Sequence, residues 1–454
     1  MPQAFAPLSK CFVLFIVFVF VVGSAHARGQ QYASVYSFQG NADGWDPIGF
    51  LISDRAGNLY GTTTYGGTGT ACNPFGCGTV FELQPPAKPG DPWTKSVLHN
   101  FNGAGGNWPS TGKMVVDNYG NLYGATQYGG SASYGTVFRL APGTGGAWTE
   151  TVLYSFTDGN DGGVPANGLT RDGAGNLYGT TNDGGQFGLQ KGAGTIFELS
   201  PPTVKGGAWT ETTLYSFQQI KDGNEPNDVT LDAKGNLYGT RSADNILCTP
   251  ANPRFCGTAF ELQRHGATWH MKLLHQFQGP TDGSSPWSSM IFDANGNLYG
   301  TTTGFGGNIT TAGGTVFELS PPAGGTGPWT ETLLYTFGGG TDGGQPVADL
   351  IFDSKGNLYD TTFYGGDLSC NFGLGCGVVF ALTPPSQTGL PWTESVLHTF
   401  LGGSDGQDPA AGLRWGKGGV LYGTASAGGR LTELQWRLWH DLLGFTLTFH
   451  ISSA

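Results

Sequence analysis

Carboxylates are the groups in this chain best able to do chemistry, and they come in two repeated sets. Asp54, Asp117, Asp172, Asp232, Asp293 and Asp353 each stand three residues before a glycine; Asp43, Asp161, Asp222, Asp282, Asp342 and Asp405 each stand immediately before one. A catalytic acid is needed once, or as a differentiated pair, whereas a group required in every repeat serves the scaffold. Asp in tight turns bonds nearby backbone amides, so both sets are expected to be structural. Calcium is the alternative use, since carboxylates and loop carbonyls are hard oxygen ligands, but neither set has the full spacing of a known calcium loop. No other cofactor and no metal site is expected.

Histidine and serine offer less. His99, His275 and His398 fall in the slot that Tyr36, Tyr154, Tyr215 and Tyr335 fill elsewhere, so the position takes a flat ring with a polar tip. His265 and His270 have no cysteine beside them. The glycine runs, such as Gly338-Gly339-Gly340, lack the lysine of a phosphate loop. No catalytic residue is assigned.

Six cysteines form three local pairs in one slot of the repeat: Cys72 with Cys77, Cys248 with Cys256, and Cys370 with Cys376. In an exported chain such pairs are expected to be disulfides. Zinc is disfavoured because the spacings vary and no histidine lies near any pair. Trp93, Trp148, Trp209, Trp269, Trp329 and Trp392 open one strand in six units. Their period favours packing between units over sugar stacking.

These residues are positioned by a repeat of about sixty residues, marked by Gly-Asn-Leu-Tyr-Gly or a variant around Tyr60, Tyr123, Tyr178, Tyr238, Tyr299, Tyr359 and Tyr422. In residues 348–400, Ala348–Asp353, Asn357–Phe363, Gly377–Leu382 and Trp392–Phe400 are expected as four antiparallel strands, the first two joined through Asp353-Ser354-Lys355-Gly356. Four short strands per unit imply an all-β chain folded as one β-propeller. Seven blades over residues 28–434 are expected, with six and eight as alternatives. Tyr32–Phe38 resembles a fourth strand without a unit of its own and is expected to complete the seventh blade, so that no sheet edge stays free. The seventh repeat is degenerate: Gly416 replaces the turn aspartate and Val420 the asparagine. Residues 435–454 match no repeat and are expected to pack on the closing blade; Trp436 and Trp439 leave an association surface as the alternative.

Lys10, the apolar run Cys11–Val22 and Ala25-His26-Ala27 have the pattern of a signal peptide over residues 1–27. The run is short of the ~20 residues that span a bilayer, so no stable membrane span is expected after cleavage. A secreted, periplasmic or cell-surface location follows. With a formal net charge of −12 and no basic cluster, nucleic acid is not an expected partner.

With Asp293–Thr302 and Gly314–Leu319 as its clearest copies, the chain resembles the bacterial exported proteins of the GloVer tandem repeat over roughly residues 32–434. The shorter Asp-x-x-Gly-Asn-Leu-Tyr piece is similar to NHL-type and lactonase-like propellers. The resemblance implies a repeat scaffold and export and carries no catalytic residues. What varies between units is the loop from second to third strand, including Gly66–Gly78, Asp183–Gly194 and Arg241–Gly257, where recognition on a repeated scaffold usually resides. The expected function is non-catalytic binding of a polysaccharide or a cell-surface protein by a monomer. The alternative is a secreted hydrolase, lactonase or lyase with its site in the central channel, favoured if two close carboxylates sit at the channel mouth.

Overall fold

The computed structural model describes residues 32–428 except 89, 188–192, 219–224, 243–255, 280, 305–312, 326 and 388. The signal segment and the tail beyond 434 therefore lie outside the described residues. From Ser34 onward the chain is one compact unit.

The unit around residues 348–400 folds much as its sequence implies. Ile351–Phe352, Leu358–Thr362, Val378–Thr383 and Thr393–Thr399 form one antiparallel sheet in that order, with Ile351 opposite Tyr359 and Asp360 opposite Phe380. Six such sheets, here blades 1 to 6, follow one another along the chain. In blade 2 the first strand is split into Asn107–Pro109 and Val115–Val116, both paired with Leu122–Tyr128.

Each first turn is bracketed by its aspartate. Asp353 accepts from the Lys355 and Asn357 backbone N–H groups at 2.8 and 2.9 Å, from the Asn357 amide at 2.7 Å and from the Tyr359 hydroxyl at 3.1 Å. The asparagine amide and tyrosine hydroxyl bonds recur at Asp54, Asp117, Asp172, Asp232 and Asp293. Gly356 in this turn has φ 84°, which a residue without Cβ adopts without strain.

Blades cohere through paired phenylalanines. The ring ending the fourth strand of blades 1 to 5 meets edge-on the third-strand ring of the next blade, as Phe156 meets Phe197 at 5.1 Å and Phe337 meets Phe380 at 5.0 Å. That ring presses on the glycine of Tyr-Gly-Thr: a Cβ at Gly61, Gly124, Gly179, Gly239 or Gly300 would lie 2.6 Å from its tip. The fourth-strand tryptophans cover the repeat tyrosine of the blade before, Trp148 on Tyr60 and Trp209 on Tyr123, so they are packing residues.

The blade count corrects the expectation: among the described residues there are six complete blades, not seven. Among the described residues the seventh repeat forms only the hairpin of Arg414–Trp415 with Leu421–Tyr422. Gly416 cannot make the aspartate bracket, and the third-strand candidate Gly429–Leu434 lies outside the described residues. Tyr32–Phe38, expected as a closing strand, joins no ladder there. Even so, Phe38 packs edge-on on Phe81 at 5.0 Å, as the fourth-strand phenylalanines do elsewhere. The hairpin also touches both neighbours. Trp415 donates its indole N–H to Phe352 O at 2.8 Å in blade 6, and Lys417 donates to Ala56 O at 2.7 Å in blade 1.

Candidate functional site

In an antiparallel blade the second-to-third loop and the crossover to the next blade share one end, so the variable loops and the start of every first strand gather at one mouth of the channel. Each crossover there ends in a residue followed by proline: Asp46, Trp108, Val164, Glu225, Ser285, Gln345 and Asp408. All seven have φ between 52 and 61°. Such a conformation is uncommon for any non-glycine residue and an outlier for β-branched Val164. The cause is a double anchor. The N–H reaches the preceding blade, as from Trp108 to Cys77 O at 2.9 Å and from Asp408 to Cys376 O at 3.1 Å. The carbonyl accepts from the residue's own blade, as Asp46 O does from Thr64 N at 3.0 Å.

That anchor explains the cysteine slot. Cys72 and Cys77 are bridged, as are Cys370 and Cys376, with Cα atoms 5.1 and 5.0 Å apart, and each bridge holds the carbonyl on which the next crossover hangs. Cys248 lies outside the described residues; Cys256 O accepts the equivalent bond from Ser285 at 2.9 Å.

One layer deeper, the residue before the first-strand core position varies in type between units: Phe50, Lys113, Gly168, Asp228, Ser289, Asp349 and Gly412. Lys113 of blade 2 reaches Asp349 of blade 6 at 3.5 Å. Asp349 also accepts from Ser289 N at 2.7 Å, and Asp228 from Gly168 N. Burial works against the Lys113 charge, but Asp349 and Asp228 outweigh it and raise its pKa. Burial and the Asp349 charge push Asp228 up, opposed by Lys113. Lys113 thus links blades that are not neighbours.

At the mouth, Asp46 of blade 1 and Asp408 of the seventh unit are 6% and 5% exposed. Burial pushes Asp46 up to about 7, with Thr64 opposing and the Asp408 charge adding to it. Burial likewise raises Asp408 to about 6, against hydrogen bonds from Asn371 and Gln407. Trp45 stacks on Tyr65 at 4.5 Å, and Tyr65 meets Phe75 at 5.9 Å and Trp108 at 5.6 Å. Beside them a cleft of about 370 Å³ is lined by Asn41, Trp45, Gly66–Thr70 and Asn73–Gly76. A second cleft, about 430 Å³, borders the loop from Asp183 with Gln186, Phe187, Asn160 and Gln218.

The repeated aspartates are not gathered at this mouth site. Those of the second set bond the flat-ring slot seven residues earlier: Tyr154 donates to Asp161 at 3.0 Å, and His275 pairs with Asp282 at 2.9 Å. Asp222 lies outside the described residues. His99 has Gly106 at that spacing and instead faces Glu150 at 3.5 Å, while burial lowers its pKa. Asp46, Asp408, Lys113, Asp228 and Asp349 were missed in the sequence. The available signal was a changing residue at a fixed offset from the constant proline and from the first strand. Among the described residues no group of three or more His, Cys, Asp or Glu is placed to hold a metal ion, and no helix there is long and apolar enough to cross a membrane.

The sequence profile of the Gloeobacter/Verrucomicrobia repeat matches residues 21–190 and 247–433. No curated protein matches the chain in sequence. Among solved structures, a candidate 6-phosphogluconolactonase from Bacteroides uniformis is 13% identical with TM-score 0.45, over 77% of this chain and 84% of that one. A luciferin-regenerating enzyme is 15% identical with TM-score 0.44, over 77% and 94%. PorZ, a surface component of the type-IX secretion system of Porphyromonas gingivalis, is 14% identical with TM-score 0.41, over 83% and 46%.

Proposed function

The chain belongs to the Gloeobacter/Verrucomicrobia repeat family, and on that footing we propose that it is an exported, non-catalytic propeller that binds a glycan at the loop-side mouth. One observation carries the reading. At the bridge between crossover and second strand, blade 1 pairs two aromatics, Trp45 with Tyr65, where other units pair Gly163 with Asp183, Ser284 with Gly304, Gly344 with Tyr364, or Gln407 with Ala427. The scaffold does not require aromatics there. Flat rings bordering a cleft of ligand size are suited to the apolar faces of sugar rings. The local disulfides accord with export into an oxidising compartment.

The test is calorimetry against cell-wall and extracellular polysaccharides. Saturable binding, weakened at least about tenfold by Trp45→Ala or Phe75→Ala with unchanged melting, is the expected result, since about 1.4 kcal/mol is tenfold and aromatic contacts are of that size. Binding untouched by both changes would remove this mouth as the site. A second reading, a secreted hydrolase, lactonase or lyase, is favoured by the buried Asp46 and Asp408 carboxyls, whose raised pKa values suit acid catalysis. Turnover of a lactone, glycoside or uronic polymer that Asp46→Asn abolishes would establish it over binding.

A further inference from the structure

The cleft in blade 3 and the cleft in blade 1 occupy the same slot of the repeat. In both blades the second-to-third-strand loop opens on a glycine pair whose second N–H bonds the crossover turn: Gly67 donates to Asn41 O at 2.7 Å and Gly185 to Gly159 O at 2.8 Å. The blade-1 cleft opens beside Asn41 and Gly66–Thr70, and the blade-3 cleft beside Asn160, Gln186 and Phe187. By the shared end of loop and crossover, both face the same mouth of the propeller.

The two linings also share a chemistry. Neither includes a lysine, arginine, histidine, aspartate or glutamate, in a chain whose net charge is −12. In blade 3 the lining is polar all the same. The Asn160 and Gln186 carboxamides and the Ser216 hydroxyl close no hydrogen bond among the described residues. The wall behind them is fixed, because the Thr213 hydroxyl ties the fourth strand to Asn160 O at 3.2 Å and to Glu211 at 2.9 Å. Phe187 is 49% exposed at the rim, whereas the phenylalanines of the third and fourth strands are buried.

These groups select a ligand class. A carboxamide presents a donor and an acceptor in one plane, which matches the neighbouring hydroxyls of a pyranose that both donate and accept. An exposed ring beside them covers the apolar C–H face of the same sugar. A carboxylate, sulfate or phosphate would enter this cleft without a counter-charge among the lining residues, and the acidic molecule would repel it at longer range.

We propose that the blade-3 cleft is a second saccharide subsite, taking an uncharged sugar unit through Asn160, Gln186 and Phe187, and that with the blade-1 cleft it holds one neutral polysaccharide at two points. The two-point engagement rests on the glycan reading of the blade-1 cleft; the blade-3 subsite is tested apart from it.

Laminarin, glucomannan and short oligomers of each are titrated calorimetrically into the full-length protein, with polygalacturonate as the acidic control. An uncharged polymer is expected to bind, and polygalacturonate to bind at least about tenfold more weakly. In a Trp45→Ala background the short oligomer is left with the blade-3 cleft, and adding Phe187→Ala or Gln186→Ala, both at exposed side chains, lowers its affinity by about tenfold. Either Trp45→Ala or Phe187→Ala alone costs the long chain at least about tenfold more than the oligomer, because one bound unit raises the effective concentration of the next. Preference for polygalacturonate, no binding of either uncharged polymer, or oligomer binding unaltered by both blade-3 changes overturns the proposal. A long chain that binds no more tightly than its oligomer removes the two-point engagement. If Phe187→Ala weakens binding and Trp45→Ala does not, the blade-3 subsite stands and the blade-1 reading falls; the reverse keeps the blade-1 cleft and removes this one.

Discussion

Asp360→Gly should make the protein more stable, most of all at neutral and alkaline pH. Five sister blades have glycine at this position, pressed by a phenylalanine ring 2.6 Å from any added Cβ. Blade 6 has a fully buried carboxyl there, and neither of its oxygens finds a hydrogen-bond partner among the described residues. Burial raises its pKa well above the usual carboxylate range, opposed by the Thr361 N–H and reinforced by the Asp349 charge. An unsatisfied buried polar group costs about 1–3 kcal/mol, and glycine returns roughly 0.5–1 kcal/mol through chain entropy, so a net gain of about 1–2 kcal/mol is expected. An unfolding entropy of about 2.1 cal/mol/K per residue over 454 residues is roughly 1 kcal/mol/K, and Tm should rise by about 1–2 °C. The pH sign follows from the raised pKa. The folded state holds a proton that the unfolded chain releases near pH 4. The wild type therefore loses stability as pH rises above that point, and the variant does not share this loss. Scanning calorimetry of both proteins at pH 4.5 and 8 is the assay. A variant no more stable than the wild type at pH 8, or a gap that fails to widen with pH, would refute the reasoning.

Replacing Cys72 and Cys77 together by serine should cost about 2 kcal/mol by the loop-closure estimate and leave the propeller folded. Denaturant titration measures the loss, and the Trp108 amide bonded to Cys77 O should show faster hydrogen exchange. Lys113→Met strands Asp228 and Asp349 without their cation. The usual 3–5 kcal/mol for breaking a buried pair, discounted because the Lys113 side chain is 33% exposed, gives a loss of roughly 2–3 kcal/mol. Adding Asp228→Asn and Asp349→Asn should recover part of it in the same titration.

Some features were legible because they repeat. The turn aspartates, tryptophans and Tyr-Gly-Thr glycines each answer a contact made once per blade, so period alone separates them from a catalytic group. Blade 6 could be drawn strand by strand for the same reason: alternation and turn residues are local. The blade count was not legible, because it depends on whether a degenerate unit completes its ladder, and that pairing joins distant parts of the chain. Gly416 and Val420 announced the weakness of the seventh repeat without settling how many strands it would form.

By itself the sequence determined an all-β propeller, its repeated brackets and its local cysteine pairs, since each follows from residues within one unit. Only the tertiary structure decided which of the unrepeated residues meet. Lys113 and Asp349 are more than two hundred residues apart, and Lys417 and Ala56 more than three hundred and fifty; the fold brings each pair together. The same folding withdraws water from the Asp46 carboxyl and raises its pKa to about 7, a property that no local stretch of chain possesses.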